Sequence, residues 1–492
     1  MVFQANQKPR AGDLRLIGKR NRENNRAVGV SHARSWRRAS RGMQEPKLIL
    51  RSFITALIKL PLRGLLASLL MAGSLLGCAE DAPSLNDQAT KLLSEGVLED
   101  KHYPFMTAYV ESAEGDILVS TGVASEAFFA PQTAPKIDDW MRIWSMSKLV
   151  TIVLALDLAE DGVIALDEEV SGHLPEVAAL KVARPRSGST LPEASAQSYD
   201  LNADGNVAEA ACDLVFEDPT RSMTIRDLMI HTAGFYYATT NLPCLDEPQA
   251  KLELPLASSS DEWMAGIAQL PLIQSPDEGY YYGLNTTVLG FALERAAGKS
   301  LQALLEERIL TPYNIEGLSF LLPESASLPP RVSGIDGQLR LANPMELDIF
   351  GGHQPPYGSD TNLFLGGEGL VATAPGFAKF LRVVFFSEQN GVEPLLETSS
   401  IDAMTSPQSN IDSGWGAMGY ALWLSNGRRP DDTYGRDDIW TGGGYEGTRY
   451  WIDPTKGRVG VLMTQVFMPP ASGVSVEDKL RDLLDARDLE TQ

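Results

Sequence analysis

Residues 142–148 read Arg-Ile-Trp-Ser-Met-Ser-Lys and place Ser145 three positions before Lys148. Residues three apart share one face of a helix, so a helix that opens at Ser145 carries Lys148 beside the serine oxygen. The helix N-terminus adds free N–H groups and partial positive charge. Because a serine needs an adjacent base to become a nucleophile, this stretch predicts an activated serine.

The segment that follows strengthens this interpretation. A capping serine followed by a solvated lysine also explains the spacing. However, residues 149–156 read Leu-Val-Thr-Ile-Val-Leu-Ala-Leu, which predicts a buried helix. Burial disfavours the charged form of a lysine. The position of Lys148 at the start of such a helix therefore indicates a functional role.

The charge is distributed unevenly along the 492 residues. Residues 1–77 hold 15 of the 42 basic and 3 of the 64 acidic side chains, which leaves 27 and 61 for the rest, a formal charge of −34. Nucleic-acid binding needs basic patches, so this composition excludes a nucleic-acid partner. It also favours solubility through self-repulsion.

The N-terminal region has the pattern of an export signal. Residues 1–42 are rich in Arg and Asn, which predicts either a disordered extension or a segment that is not translated in vivo. In the second case, translation is expected to start at Met43. A basic stretch and a short apolar segment then end in Leu-Leu-Gly-Cys78. This ending resembles the lipobox of bacterial lipoproteins, in which the cysteine is lipidated. The expectation is a signal peptide over 43–78 and a membrane-anchored lipoprotein on the periplasmic side of a bacterial envelope, with an ordinary secretory signal or an uncleaved anchor as the alternatives.

Two further cysteines lie in the body of the chain. Cys212 and Cys244 do not have zinc-ligand spacing. In an oxidising compartment they can pair as a disulfide, and two free thiols are the alternative.

The hydrophobic pattern predicts an α+β fold. Strand-like stretches lie near both ends of the body, at 105–123 and at 418–466, and helical patterns fill the middle. We therefore expect one antiparallel sheet, flanked by the Ser145 helix and a C-terminal helix, together with an all-helical domain. The predicted divisions are a tether and first helix at 79–100, a main domain at 101–490, a sheet subdomain at 101–150 and 363–490, and a helical subdomain at 151–362.

An inserted loop is predicted at 183–220, which is rich in Ser, Ala and Asp and lacks a core pattern. Within it, Asp200, Asn202 and Asp204 followed by glycine match the start of a calcium loop, but Ala211 stands where the closing acidic residue belongs. The pattern therefore favours a solvated, turn-rich loop without a metal.

Several motifs, in order, resemble those of the serine β-lactamase-related hydrolases, which include class C β-lactamases, D-alanyl-D-alanine carboxypeptidases and family VIII carboxylesterases. The resemblance covers roughly residues 100–490. Its motifs are the 142–148 stretch, Gly-Val-Ile-Ala-Leu-Asp at 162–167, Thr-Ile-Arg-Asp-Leu at 224–228, His-Thr-Ala-Gly-Phe at 231–235, Tyr-Gly-Leu-Asn-Thr-Thr-Val-Leu-Gly at 282–290, Gly-Gly-Glu-Gly-Leu at 366–370 and Trp-Ile-Asp-Pro at 451–454.

The resemblance implies a catalytic serine, lysine and tyrosine, with no metal or cofactor. Ser145 and Lys148 occupy the first two places, and Tyr282 is the best match for the third, with Tyr280 and Tyr281 adjoining it. The lysine and the tyrosine would share the handling of the proton. The imidazole of the 231–235 motif is expected to have a structural duty at a helix end.

The resemblance also implies a motif on a strand that faces the serine, Lys-Thr-Gly in β-lactamases and often Trp-x-Gly or His-x-Gly in esterases. Trp440 is an alternative anchor for this motif after a shift of two residues. The backbone N–H groups of Ser145 and Tyr445 would form the oxyanion hole. The residues at the place of the motif are Gly442, Gly443 and Gly444.

The departures from the family pattern bear on the substrate. Gly442 and Gly443 stand where β-lactamases carry the lysine and threonine that bind a carboxylate. Asn285 lies three residues after Tyr282, as in the esterase-like pattern, and is expected to bind substrate. No Gly-x-Ser-x-Gly elbow occurs. The expectation is an acyl-enzyme esterase for a small or medium neutral ester, with a β-lactamase, a D-amino-acid peptidase and a non-catalytic envelope lipoprotein as alternatives.

Overall fold

The computed structural model describes residues 83–188, 191, 212–343, 346, 348–350, 353–387, 391–408, 418–424, 439–470 and 475–490. These residues belong to one compact unit. The predicted extension, signal peptide and lipidated Cys78 lie outside the described residues, and so does the calcium-like segment around Asp200. Within the described residues, no helix has the length and apolar character needed to cross a bilayer.

Ten α-helices are found in the described part of the chain. They are α1 (Leu85–Ser94), α2 (Ser147–Glu160), α3 (Ile225–Met229), α4 (Pro243–Ala250), α5 (Ser260–Ile267), α6 (Asn285–Ala297), α7 (Leu301–Leu305), α8 (Ala374–Phe386), α9 (Thr398–Met404) and α10 (Val476–Glu490).

Fourteen strands, many of them only two residues long, are found in the same ranges. They are β1 (Phe105–Ser112), β2 (Ile117–Ala124), β3 (Met141–Arg142), β4 (Val182–Pro185), β5 (Leu214–Glu217), β6 (Leu318–Ser319), β7 (Val332–Ser333), β8 (Arg340–Leu341), β9 (Val371–Ala372), β10 (Trp423–Leu424), β11 (Trp440–Gly443), β12 (Arg449–Asp453), β13 (Arg458–Met463) and β14 (Val466–Phe467).

The main sheet joins the two ends of the body, as the sequence predicts. Its strand order is β10-β11-β12-β13-β1-β2, and each neighbouring pair is antiparallel. Within the predicted strand region 418–466, β11 and β12 are separated by the turn that contains Gly447. The α+β class with an antiparallel sheet is therefore confirmed.

Helices cover both faces of this sheet. On one face, α1 and α10 pack with the sheet around Leu93, Leu480 and Trp451. The first helix expected within 79–100 is thus α1, and it packs on the sheet. On the other face, α8 lies directly on β1 and β13, with Phe377 against Tyr450.

The helix that follows Ser145 occupies the centre of the molecule. In α2, every residue from Ser147 to Leu156 is buried, and the helix packs against α6. One hydrophobic core runs from Tyr450 in the sheet through α2 to Leu289 in α6. The boundary between a sheet subdomain and a helical subdomain stays a prediction.

The ends of the predicted inserted loop are ordered strands. β4 and β5 pair antiparallel, with Ala183 opposite Phe216, so the described ends of the predicted inserted loop are strands that the sequence analysis did not assign. The strands are short and Phe216 is exposed, which explains why no core pattern was visible. Close to β5, Cys212 forms a disulfide with Cys244 at the start of α4, so the structure has the paired form of the two alternatives.

Removing the disulfide should weaken the fold measurably. The bridge closes a loop of 32 residues in sequence separation, and a loop of that size corresponds to about 3–4 kcal/mol through the entropy of the unfolded chain. We expect the Cys212→Ser/Cys244→Ser double variant to unfold at lower urea concentration than the wild type. Reductant should lower the wild-type midpoint and leave that of the variant unchanged; equal midpoints without reductant would contradict the expectation.

Candidate active site

Ser145 lies in a tight turn between β3 and α2. Residues Trp144–Met146 form one 3-10 turn that leads directly into the helix. Ser145 is the one partly exposed residue in 141–150, where all its neighbours are buried. Lys148 Nζ lies 3.4 Å from Ser145 Oγ. The predicted arrangement, with the lysine one helical turn after the serine, is present.

The residue before the serine has an unusual backbone. Trp144 has φ of 46°, a left-handed conformation that costs a bulky L residue roughly 1–3 kcal/mol. Its indole is fully buried. The ring packs against Tyr445 with 5.4 Å between centroids, and the Arg331 guanidinium lies 5.1 Å from it. These contacts hold the turn that leaves the Ser145 side chain partly exposed.

Lys148 is surrounded by oxygen atoms. Its Nζ donates to the Tyr237 hydroxyl at 3.0 Å, the Gly367 carbonyl at 2.9 Å and Glu368 Oε1 at 3.1 Å. Burial on its own lowers the pKa of this lysine, but the Glu368 carboxylate and the neighbouring Tyr282 hydroxyl outweigh it. The pKa of Lys148 therefore lies above its ordinary value, and the side chain is an ammonium ion at neutral pH.

Tyr282 reaches the same centre from the loop before α6. Its ring centroid lies 4.9 Å from Lys148 Nζ and 6.0 Å from that of Tyr237. The ring stacks at 4.6 Å on His231. Burial first, and then the Lys148 charge, lower the pKa of His231 well below its ordinary value. The imidazole is therefore neutral, and it acts as a packing surface for Tyr282.

Asn285 supports this loop from inside the protein. It is fully buried, and its amide nitrogen contacts His231 Nδ1 at 3.1 Å, the Phe235 carbonyl at 3.2 Å and the Tyr281 carbonyl at 3.1 Å. The structure gives this side chain an interior position, where it holds the 281–285 loop against the 231–235 segment. That position differs from the substrate contact expected from the sequence.

Two residues at the centre were not named from the sequence. Tyr237 bonds Lys148 directly, and its hydroxyl donates to Glu368. Glu368 is fully buried and also accepts from the Thr287 hydroxyl. The available signals were the tyrosine pair that follows the 231–235 motif and the acidic residue inside the glycine-rich 366–370 motif.

The glycine run at the end of β11 borders the serine turn. A Cβ on Gly444 would lie 2.4 Å from the Ile143 carbonyl oxygen, and one on Gly442 would lie 2.3 Å from the Tyr450 hydroxyl. The ring of Tyr445 rests on Trp144. The strand predicted to face the serine therefore adjoins the serine turn. The oxyanion hole formed by the N–H groups of Ser145 and Tyr445 stays a prediction.

Trp440 lies at the start of the same strand and packs against Phe385 of α8, with 5.6 Å between ring centroids. It pairs with Ile452 and Leu424. Its described contacts are thus within the sheet and its covering helix, while those of Gly444 reach the serine turn.

Replacing Gly444 with alanine should disturb the serine turn. The added methyl group would overlap the Ile143 carbonyl, so the strand or the turn must shift. We expect a loss of about 1–3 kcal/mol in unfolding free energy and about 100-fold in ester turnover, since small misplacements of reacting groups are costly. Gly172→Ala is the matched control, because a Cβ there meets nothing within 4 Å. Equal turnover in the two variants would contradict this placement of β11.

Ser145, Lys148 and the phenols of Tyr237 and Tyr282 lie together beside a glycine-rich strand, and a protein-family model independently matches this chain. The model described as "Beta-lactamase" matches residues 107–485. The chain belongs to this family. The match confirms the resemblance drawn from the sequence motifs. The matched residues include Ser145, Lys148 and Tyr282.

Individual relatives are distant. An uncharacterized protein of Mycobacterium tuberculosis is 25% identical over 293 residues, which are 59% of this chain and 65% of the relative, so the chain spans less than two thirds of that protein. The lovastatin esterase of Penicillium rubens is 24% identical over 393 residues, 73% of this chain and 87% of the relative. The structure of simvastatin synthase from Aspergillus terreus superposes with a TM-score of 0.59 at 20% identity, covering 82% of this chain and 96% of the other. This last likeness shows the fold.

Proposed function

We propose that the protein is a serine-dependent carboxylesterase that hydrolyses small or medium neutral esters through an acyl-enzyme on Ser145. The observation that carries the proposal is the convergence of a partly exposed serine, a buried lysine and a tyrosine from separate parts of the chain. Lys148 Nζ lies within 3.4 Å of Ser145 Oγ and 4.9 Å of the Tyr282 ring. Such a nucleophile with adjacent proton-handling groups is suited to acyl transfer.

In the proposed reaction, Ser145 Oγ forms a bond to the acyl carbon while its proton passes to the oxygen of a deprotonated Tyr282, which lies beside the Lys148 ammonium ion. The electron pair of the carbonyl moves onto its oxygen, which the N–H groups of Ser145 and Tyr445 stabilise. The intermediate then expels the alcohol, which takes up the proton. Water attacks the acyl-enzyme in the same way and releases the acid.

The preference for a neutral ester rests on the glycine strand. The resemblance to β-lactamases implies a carboxylate-binding lysine at the place of Gly442. Here the Tyr450 hydroxyl fills the space in which a side chain at 442 would begin. The charge of Lys148 is paired with Glu368, so it is also not a free partner for an anion. The lovastatin esterase among the relatives supports the same class of reaction.

The test is a direct comparison of substrates. A short p-nitrophenyl ester and a chromogenic cephalosporin would be offered to the wild type and to Ser145→Ala. The proposal expects ester turnover that depends on Ser145 and exceeds cephalosporin turnover. Fast cephalosporin hydrolysis without ester hydrolysis would favour a β-lactamase. If the protein hydrolyses neither of these substrates, nor a D-amino-acid peptide, a binding module would be favoured.

We further propose that the protein is a lipoprotein of the bacterial envelope, anchored through Cys78. The disulfide between Cys212 and Cys244 supports an oxidising compartment. In a Gram-negative host, the full-length chain is expected in the membrane fraction and Cys78→Ser in the soluble fraction. Membrane association of a processed Cys78→Ser chain would refute the lipid anchor.

A further inference from the structure

Glu368 carries a buried carboxylate that contacts Lys148 in the candidate active site. Its side chain is about 1% exposed. One oxygen accepts from Lys148 and from Tyr237, and the other accepts from Thr287. A carboxyl group that accepts from three donors has the bonding pattern of the ionised form.

The loop that carries Glu368 is tied to the helices on both sides. The Thr151 hydroxyl donates to the Gly366 carbonyl at 2.7 Å, and the Gly367 N–H donates to Thr287 Oγ1 at 3.1 Å. The Leu370 N–H donates to Ser147 Oγ at 3.0 Å. Because Ser147 and Thr151 belong to the helix that carries Lys148, these bonds hold the carboxylate in register with the lysine.

The hydrogen bonds around Lys148 indicate what Glu368 does. The Gly367 carbonyl and the Glu368 carboxylate can only accept. The Tyr237 hydroxyl gives its proton to Glu368, so its oxygen also accepts from Lys148. These three acceptors are closer to Nζ than Ser145 Oγ is. Ser145 Oγ is a further acceptor at 3.4 Å, and the Tyr282 side chain also bonds the amine. A lysine nitrogen surrounded by acceptors has the bonding pattern of an ammonium ion, which has three N–H donors and no lone pair to receive the serine proton.

We propose that Glu368 is a positioning residue that holds Lys148 as an ammonium ion in the resting site, so that the lysine acts on Ser145 through its charge. The proposal rests on the proposed esterase function and adds a residue to it. With Glu368 in place, the site carries a buried cation and anion of zero net charge. Without the carboxylate, burial favours the neutral amine.

The test measures the protonation of Lys148 directly. In protein labelled at the lysine 13Cε position, the Lys148 signal is assigned by its absence from Lys148→Met and followed over pH. In the wild type we expect the ammonium signal to persist beyond about pH 10, the ordinary range of lysine. In Glu368→Gln, which keeps the shape and removes the charge, we expect the titration to move at least about one pH unit lower.

Kinetics provide the second readout. In Glu368→Gln, the alkaline fall in kcat/KM for the p-nitrophenyl ester should move to lower pH together with the NMR titration. Glu111→Gln is the matched control, because Glu111 is also a buried carboxylate in an ion pair, with Arg382 at 2.9 Å, and lies in β1. It should leave the Lys148 titration unchanged.

An unchanged Lys148 titration in Glu368→Gln would overturn the proposal. If that variant does not fold, Glu368→Asp withdraws the carboxylate by one methylene group and should lower the titration in the same direction. An unchanged titration there would overturn the proposal equally. Failure of the esterase assignment alone would appear as ester turnover that Ser145→Ala retains, or as no ester turnover by the wild type, whereas the NMR titration reports on Glu368 in either case.

Discussion

Replacing Ser145 with alanine is expected to reduce ester hydrolysis by roughly 10⁴-fold or more, the scale found when a nucleophile is removed from a working catalytic group. The loss should appear in kcat, because the reaction can no longer form an acyl-enzyme. Stability should change little, since Ser145 is partly exposed and its contact with Lys148 Nζ is 3.4 Å long.

The measurement is p-nitrophenyl ester hydrolysis by purified protein, with thermal unfolding recorded for each variant. Ser399→Ala is the control, because Ser399 is an exposed helical serine in α9. Turnover by Ser145→Ala equal to that of Ser399→Ala would remove Ser145 from the mechanism, whatever the similarity of the surrounding motifs.

Replacing Lys148 with methionine is expected to damage both activity and stability. Methionine replaces the apolar stem of the lysine side chain but leaves the Glu368 carboxylate buried without its cation. Breaking a buried ion pair from one side typically costs about 3–5 kcal/mol. Activity should fall by a factor comparable to that for Ser145→Ala, since the serine loses its neighbouring charge.

The double variant Lys148→Met/Glu368→Gln separates these two effects. It removes the stranded charge, so urea unfolding should recover most of the lost free energy while ester hydrolysis remains absent. A Lys148→Met variant as stable as the wild type would contradict the buried pair. Recovery of activity in the double variant would contradict the need for the lysine.

The raised pKa of Lys148 also fixes the sign of a pH effect on stability. Because the folded-state pKa lies above the unfolded value, the stabilisation is complete below the unfolded pKa and is lost as pH rises through the folded one. Lys148→Met should therefore lack the alkaline loss of stability that this group causes in the wild type.

The sequence predicts the parts of the fold that depend on local pattern. The hairpin β1–β2 shows alternation and a glycine turn, and α2 shows an apolar run after Ser145, so both were predictable. The strands β4 and β5 were missed, because they are short and Phe216 is exposed. Their pairing depends on contacts between chain segments that are distant in sequence.

The site residues also divide into those that local sequence predicts and those that only the folded chain brings together. Ser145 and Lys148 were found because their relation is local, and Tyr282 because it stands at a fixed distance before a recognisable helix. Glu368 lies 220 residues from Lys148, and only the folded chain brings the two together. No sequence rule places a buried tryptophan in a left-handed turn, so the backbone of Trp144 could not be anticipated.

Asn285 illustrates a different difficulty. An amide three residues after the tyrosine could bind substrate or could hold the loop in place, and the spacing does not distinguish these two roles. Burial does so, because the fully enclosed amide donates to backbone carbonyls of the segments that position Tyr282.

The central claim, a covalent acyl-enzyme on one serine, is tested most directly by intact-protein mass spectrometry after rapid mixing with a slowly deacylating p-nitrophenyl ester. We predict a mass increase of one acyl group, located by peptide mapping on Ser145 and absent from Ser145→Ala. An acyl group found on another residue, or ester turnover with no adduct at Ser145 at any mixing time, would contradict the account.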